Sequence, residues 1–181
     1  MQKITGSILG EFQRYKTLGE KSIAQLSDEE LCQSGPSGTN SIATLVWHLS
    51  GNFASRFTDF LTSDGEKPWR NRDSEFEPRT VSREELLEKW EAGWGILLET
   101  LKALQDEDLQ KLVTIRGQPL SVSEALHRSL AHCAYHVGQI TMLARMMRGE
   151  KWNYLSIPPG GSAEYNKNPT RERGDGDKGK S

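Results

Sequence analysis

The sequence predicts an all-α fold, a four-helix bundle. Three observations lead there. Four stretches carry apolar residues at spacings of three and four, two of these stretches open on a serine with a glutamate three residues later, and strand-like alternation is confined to one short segment.

The first helix is expected over residues 3–25, where Ile4, Ile8, Leu9, Phe12, Tyr15 and Leu18 form one apolar stripe. SDEELCQSG follows, with a capping serine, acidic residues in the first turn and a glycine stop, so a short helical turn belongs in that connection. The second long helix should run from about Asn40 to Thr62, on the stripe Ile42, Leu45, Val46, Leu49, Phe53, Phe57 and Phe60. Residues 63–80 then lose all apolar period and gain many charges. A loop of that length within one domain is expected to be functional or disordered.

Ser82 to Glu85 is a capping box that opens a third helix, running to about Gln105 on Leu86, Trp90, Trp94, Leu97, Leu98 and Leu101. LQKLVTIRGQPLSV suggests a short hairpin or extended segment around a Gly-Gln-Pro turn. A second capping box, Ser121 to Glu124, opens a fourth helix that continues to about Gly149. Beyond it, Trp152, Tyr154, Leu155 and Ile157 can pack on the bundle, and the chain past about Pro169 reads as disordered. The domain is therefore expected over 1–166, with a polar tail over 167–181.

A chain of 181 residues can bury a core of its own. Its net charge of -2 provides no broad positive field, which argues against nucleic acid as a partner. No apolar run approaches the roughly 20 residues that a membrane span needs, and MQKITGSILGEFQRYK lacks the apolar centre of a secretory leader, so the expected compartment is the cytoplasm. Cys32 and Cys133 form no C-x-x-C pair and are expected to be free thiols.

LHRSLAHCAYHVGQI holds three of the four histidines. At about 100 degrees per residue, His132 and His136 lie about 40 degrees apart, on one face and close enough to share an ion. His127 points about 140 degrees away from His132 and does not join them. A third ligand must come from another helix, and His48 is the available histidine. The wheel places it roughly 100 to 140 degrees from Leu49 and Phe53, on the rim of the buried face. Two such rims together would form a pocket open to water, as catalytic metal sites require. Spacing alone also fits histidines that merely pack and hydrogen-bond.

NSIATLVWHLSGN and HCAYHVGQI resemble the two signature segments of the DinB/YfiT-like superfamily, four-helix-bundle metalloproteins with a three-histidine site. FTDFLTSDGEKPWRNRDSEFE and WNYLSIPPGGSAEYN resemble one bacterial branch of it, described mostly as a domain of unknown function. By matching position, the resemblance implies His48, His132 and His136 as ligands of a divalent metal ion, zinc or nickel foremost, with iron or manganese as alternatives. It also implies a homodimer, and a reaction in which the metal activates a low-molecular-weight thiol or a water for transfer to, or hydrolysis of, a small-molecule substrate. The other class to be weighed is a non-catalytic, metal- or ligand-binding stress-response bundle.

Around that site, Gln139 shares the face of His132 and could hold a ligand histidine or a metal-bound water. Asn52 and Arg56 follow His48 by one and two turns, the arginine being a candidate for an anionic substrate group. Tyr135 could supply a phenol donor, and Glu124 is the one weak candidate for a general base. Cys133 is either a small core residue or a reactive thiol. Lys67, Trp69, Arg70 and Arg72 make the 63–80 loop either a lid over an acidic substrate or a solvated charged loop.

Overall fold

In a computed structural model, which describes residues 3–170, four long helices form the bundle. They are α1 (Ile4–Ile23), α3 (Ile42–Phe57), α4 (Arg83–Ala103) and α5 (Val122–Arg148); α2 (Asp28–Cys32) and α6 (Ser162–Tyr165) are short. β1 (Leu112–Ile115) and β2 (Gln118–Ser121) form one antiparallel hairpin, with Leu112 opposite Ser121 and Ile115 opposite Gln118. No helix among the described residues is long and apolar enough to cross a membrane.

Local chemistry explains where the helices begin. Ser82 accepts from the Glu85 amide while the Glu85 carboxylate accepts from the Ser82 amide, and Ser121 and Glu124 repeat the arrangement on α5. Ser41 caps α3 by accepting from Thr44. The start of α1 has no cap of its own. Asp106, from a 3-10 turn over Asp106–Gln110, accepts from the Ile4 and Thr5 amides instead.

Helix α1 lies along α5 and also touches α4, whereas α3 lies along α4 and touches α5 over a shorter stretch. Phe12, Leu49, Phe53, Leu86, Trp90, Trp94, Leu126 and Val137 are buried between them. Two glycines permit the close approaches. A methyl at Gly93 would stand 2.5 Å from the Ser50 Cα on α3, and one at Gly19 would stand 2.5 Å from the Trp90 ring. Neither is needed for a left-handed backbone; both are needed for packing.

Several sequence expectations change. The helix expected to reach Thr62 ends at Phe57, because Thr58 is extended (ψ 125) and Asp59 takes a positive φ of 50. The Asp59 carbonyl then accepts from the Thr62 and Ser63 amides in a turn that still delivers Phe60 to the core. Ile4 is 59% exposed, since the helix stripe drifts away from the core at its first turn. The hairpin turn falls on Arg116 and Gly117, both with positive φ, which suits a tight two-residue connection. Gln118 and Pro119 belong to β2. Trp152 packs on the bundle, but Tyr154 is exposed with the Arg145 guanidinium over its ring. The tail expected to be disordered falls mainly on residues 171–181, which lie outside the described residues.

Replacing Gly93 by alanine forces the added methyl onto the α3 backbone, which has no rotamer to yield. Urea denaturation should show a loss of roughly 1–3 kcal/mol. Unchanged stability would mean that the α3–α4 contact is looser than described.

Candidate metal centre

Helices α3 and α5 leave a gap, and the three histidines fill it. His48 comes from the middle of α3, and His132 and His136 come from successive turns of α5. The His132 Nε2 lies 3.1 Å from the Nε2 of both His48 and His136. All three ligand atoms fall within 4.8 Å of one another, and among the described residues this is the one group of His, Cys, Asp or Glu able to share an ion. Two imidazoles bound to one ion at about 2.0–2.1 Å, at an angle near 100 degrees, would have about this separation.

Outer partners fix two of the rings. His48 Nδ1 lies 2.9 Å from Glu75 Oε2, and His136 Nδ1 lies 2.8 Å from Gln139 Oε1. Both partners are acceptors, so each Nδ1 carries the hydrogen and each Nε2 lone pair faces the gap. The His132 Nδ1 is buried without a partner, so nothing outside the trio sets its tautomer. Three convergent imidazoles, two of them tethered from outside, are the donor set a divalent ion requires, and the residues fit such an ion.

His48 is only 4% exposed, whereas the helical wheel places it on a rim open to water. Residues 63–80 account for the difference. A 3-10 turn over Asp73–Phe76 lies against α3, setting the Phe76 ring 4.6 Å from the His48 ring and Glu75 against its Nδ1. The Glu75 carboxylate also receives Arg70 through Nε (2.8 Å) and Nη2 (2.9 Å). Burial opposes the charge on Glu75, but hydrogen bonds from His48 and Arg70 outweigh it and hold the carboxyl below its ordinary range. Gly51 makes room: a methyl there would stand 2.2 Å from Glu75 Oε1. Arg79 donates to the Ser74 and Glu75 carbonyls and so pins the turn from behind.

Protonation of the two α5 histidines is suppressed. Burial, followed by the His136 and His48 charges, pushes His132 down to about 3. Burial also lowers His136, to about 4, against the hydrogen bond to Gln139. Both histidines are therefore neutral at any ordinary pH, the form that ligates metal.

A cavity of about 510 Å³ opens onto the trio. Asn52, Arg56, Tyr135 and Gln139 all line it, together with Arg70, Arg72, Phe76, Arg116 and Arg128. Tyr135 is 62% exposed, at the cavity mouth. The larger neighbouring cavity, about 600 Å³, shares Asn40, Tyr135 and Gln139 as a wall but has no histidine. His127 is exposed and away from the site. Glu124 is committed to capping α5 and does not line the cavity. Cys133 is fully buried in the core, and burial pushes its thiol well above the ordinary range. Of the loop cations, Lys67 is buried and donates to Ser63 and to the Asp64 carbonyl, while Trp69 is 58% exposed and covers nothing. Arg70 and Arg72 face the cavity.

Glu75, Gly51 and Phe76 were not singled out by sequence reasoning. Gly51 lies one helical turn after His48, the only hint that something must approach there. Glu75 is one acid among several in a segment without periodicity, and no spacing rule selects it.

Because the folded-state values of His132 and His136 lie below the ordinary 6.5, the unfolded chain binds protons that the metal-free folded chain cannot. The metal-free protein should keep its stability above about pH 6.5 and lose it as the pH falls toward 4. Urea midpoints across that range test this, and replacing His132 and His136 by glutamine should flatten the decline. An equally steep decline in the variant would place its origin elsewhere.

Comparison with known proteins agrees with the fold. The sequence profile of the family described as "Protein of unknown function (DUF1572)" matches residues 3–161. No curated protein matches the chain significantly. In three dimensions it resembles the crystal structure of a DinB-like protein from Bacillus cereus ATCC 10987, with a TM-score of 0.59 at 20% identity, over 81% of this chain and 93% of that one. At that identity the likeness speaks for the fold alone. The chain belongs to the DUF1572 family of proteins of unknown function and has the DinB-like helical-bundle fold.

Proposed function

We propose that this protein is a divalent-metal-dependent enzyme acting on a small molecule, with His48, His132 and His136 as the metal ligands. The observation that carries the reading is the convergence of three Nε2 atoms within 4.8 Å at the floor of an open cavity. Three imidazoles suit zinc or nickel first, with iron or manganese as further candidates. Bound there, such an ion supplies a Lewis acid that lowers the pKa of a water or a thiol beside it.

The protein's own residues do the remainder. Glu75 and Gln139 hold the Nδ1 hydrogens and keep two ligands in their tautomer and orientation. Phe76 packs on His48 and keeps water from that side. Asn52 and Tyr135 present polar atoms to an occupant of the cavity. No carboxylate lines it, so the activated group must be one that an ion alone can deprotonate. The choice of a thiol over water rests on the resemblance to thiol transferases of the superfamily, and so does a homodimeric state. A non-catalytic binding role would use the same ligands, but with no exchangeable position left on the ion.

Inductively coupled plasma mass spectrometry of untagged protein should find about one divalent ion per chain, lost in a His132→Ala variant. Failure to bind zinc, nickel or manganese after reconstitution would end this reading. The Glu75→Gln variant keeps the shape but removes the carboxylate charge. Its metal affinity, measured by chelator competition, should fall about 10- to 100-fold. Unchanged affinity would reduce Glu75 to a packing role.

A further inference from the structure

Five arginines line the cavity over the histidines, and no carboxylate does. In a chain of net charge -2, that is a strong local concentration of one sign. Three of the five are already paired from behind the wall. Arg70 is held by Glu75, and Arg56 and Arg116 both reach Glu66 Oε2, at 3.1 and 3.0 Å. Glu75 and Glu66 thus pair with three of the five guanidiniums and Asp64 stands behind the Arg116 backbone, which leaves the lining net positive before any metal is counted.

Arg72 and Arg128 form no ion pair among the described residues, and both are exposed. They come from different elements that line the same cavity. Arg128 lies on α5 one turn before His132, while Arg72 immediately precedes the turn that carries Glu75 and Phe76. The Arg72 guanidinium rests 4.9 Å from the Phe76 ring centroid, and that ring in turn lies against His48. The hairpin is fixed toward the same cavity. Asp64 accepts from the Arg116 and Gly117 amides, which holds Arg116 at a φ of 55, a conformation uncommon outside glycine. Such like-charged groups repel one another unless an anion lies between them.

We infer that Arg72 and Arg128 form a recognition site for an anionic group, a carboxylate or a phosphate, of the small molecule whose reacting end faces His48, His132 and His136. Guanidinium forks bind both anions through paired hydrogen bonds, so the two are distinguished by experiment. The inference rests on the proposed function for the identity of the reacting end, but the arginines bind their anion whether or not an ion is present.

Isothermal titration of the full-length protein with inorganic phosphate and, separately, with succinate tests this, in zinc-loaded and metal-free samples. Neutral succinamide serves as the control ligand. At least one of the two anions should bind saturably below about 10 mM, and the preferred one identifies the group. Arg72→Gln and Arg128→Gln should each weaken that binding about tenfold, in both samples. Arg145→Gln removes the same charge from α5 at a position that does not line the cavity, and should change it less than twofold. Circular dichroism checks the fold of each variant, all three positions being exposed. The proposal is overturned if neither anion saturates, if succinamide binds equally well, or if Arg72→Gln and Arg128→Gln match Arg145→Gln. Arginine dependence in protein that takes up no zinc would leave this site standing and reject the metal centre. Zinc uptake without arginine dependence would do the reverse.

Discussion

One buried carboxylate organises the site. Glu75 accepts from His48 on one side and from the Arg70 fork on the other, so it ties residues 63–80 to α3 and sets the direction of the His48 ring in the same contact. A carboxylate removed from water needs such partners: Arg70 balances its charge and the His48 ring adds a hydrogen bond, so removing Arg70 would leave an uncompensated ion in the interior. The glycine at position 51 is a consequence of that constraint, because any side chain there would occupy the place of the Glu75 oxygen. A segment rich in charge thereby becomes an ordered wall rather than a solvated loop.

The bundle prepares the space into which this wall fits. Helices α1 and α5 pack extensively on one another, as do α3 and α4, and α3 and α5 touch along a shorter seam, where the histidines meet. Polar groups can gather in such a seam without interrupting the hydrophobic layers around Trp90, Trp94 and Phe53. Partial burial then lowers the basicity of His132 and His136 and keeps them neutral, while Glu75 and Gln139 turn the lone pairs of His48 and His136 inward. An apolar neighbourhood, a tethering acceptor and a facing lone pair make a ligand set in which proton competition is weak. Outside this inner layer the arginines add a positive field that reaches the cavity mouth.

What could be read from the sequence follows the range over which each interaction acts. Helical periodicity and capping boxes are local, and they located the four long helices and their starts. The pairing of His132 with His136 is also local, one turn apart, and the exclusion of His127 follows from the same geometry. His48 was legible as the one histidine left to supply a third ligand, and the resemblance gave it that role, because nothing in the spacing of two distant helices fixes their approach. Glu75, Arg70 and Gly51 meet through a loop whose course no periodicity governs, so their partnership is visible only in three dimensions. The early end of α3 at Phe57 was missed because Phe60 continues the apolar period, although a turn rather than a helix carries it inward. Glu124 shows the opposite error, since its role as a cap at Ser121 was legible and sufficient, and left it no freedom for catalysis.

X-ray absorption spectroscopy at the zinc edge, on reconstituted protein, tests the central claim most directly. Three nitrogen neighbours at about 2.0–2.1 Å, with the outer-shell scattering of imidazole rings, are predicted, plus a further oxygen neighbour. Loss of one imidazole contribution in His48→Ala would tie α3 to the ion. Sulfur in the first shell, or a spectrum unchanged by removing His48, would contradict the account, because the ion would then be held elsewhere than in the seam between α3 and α5.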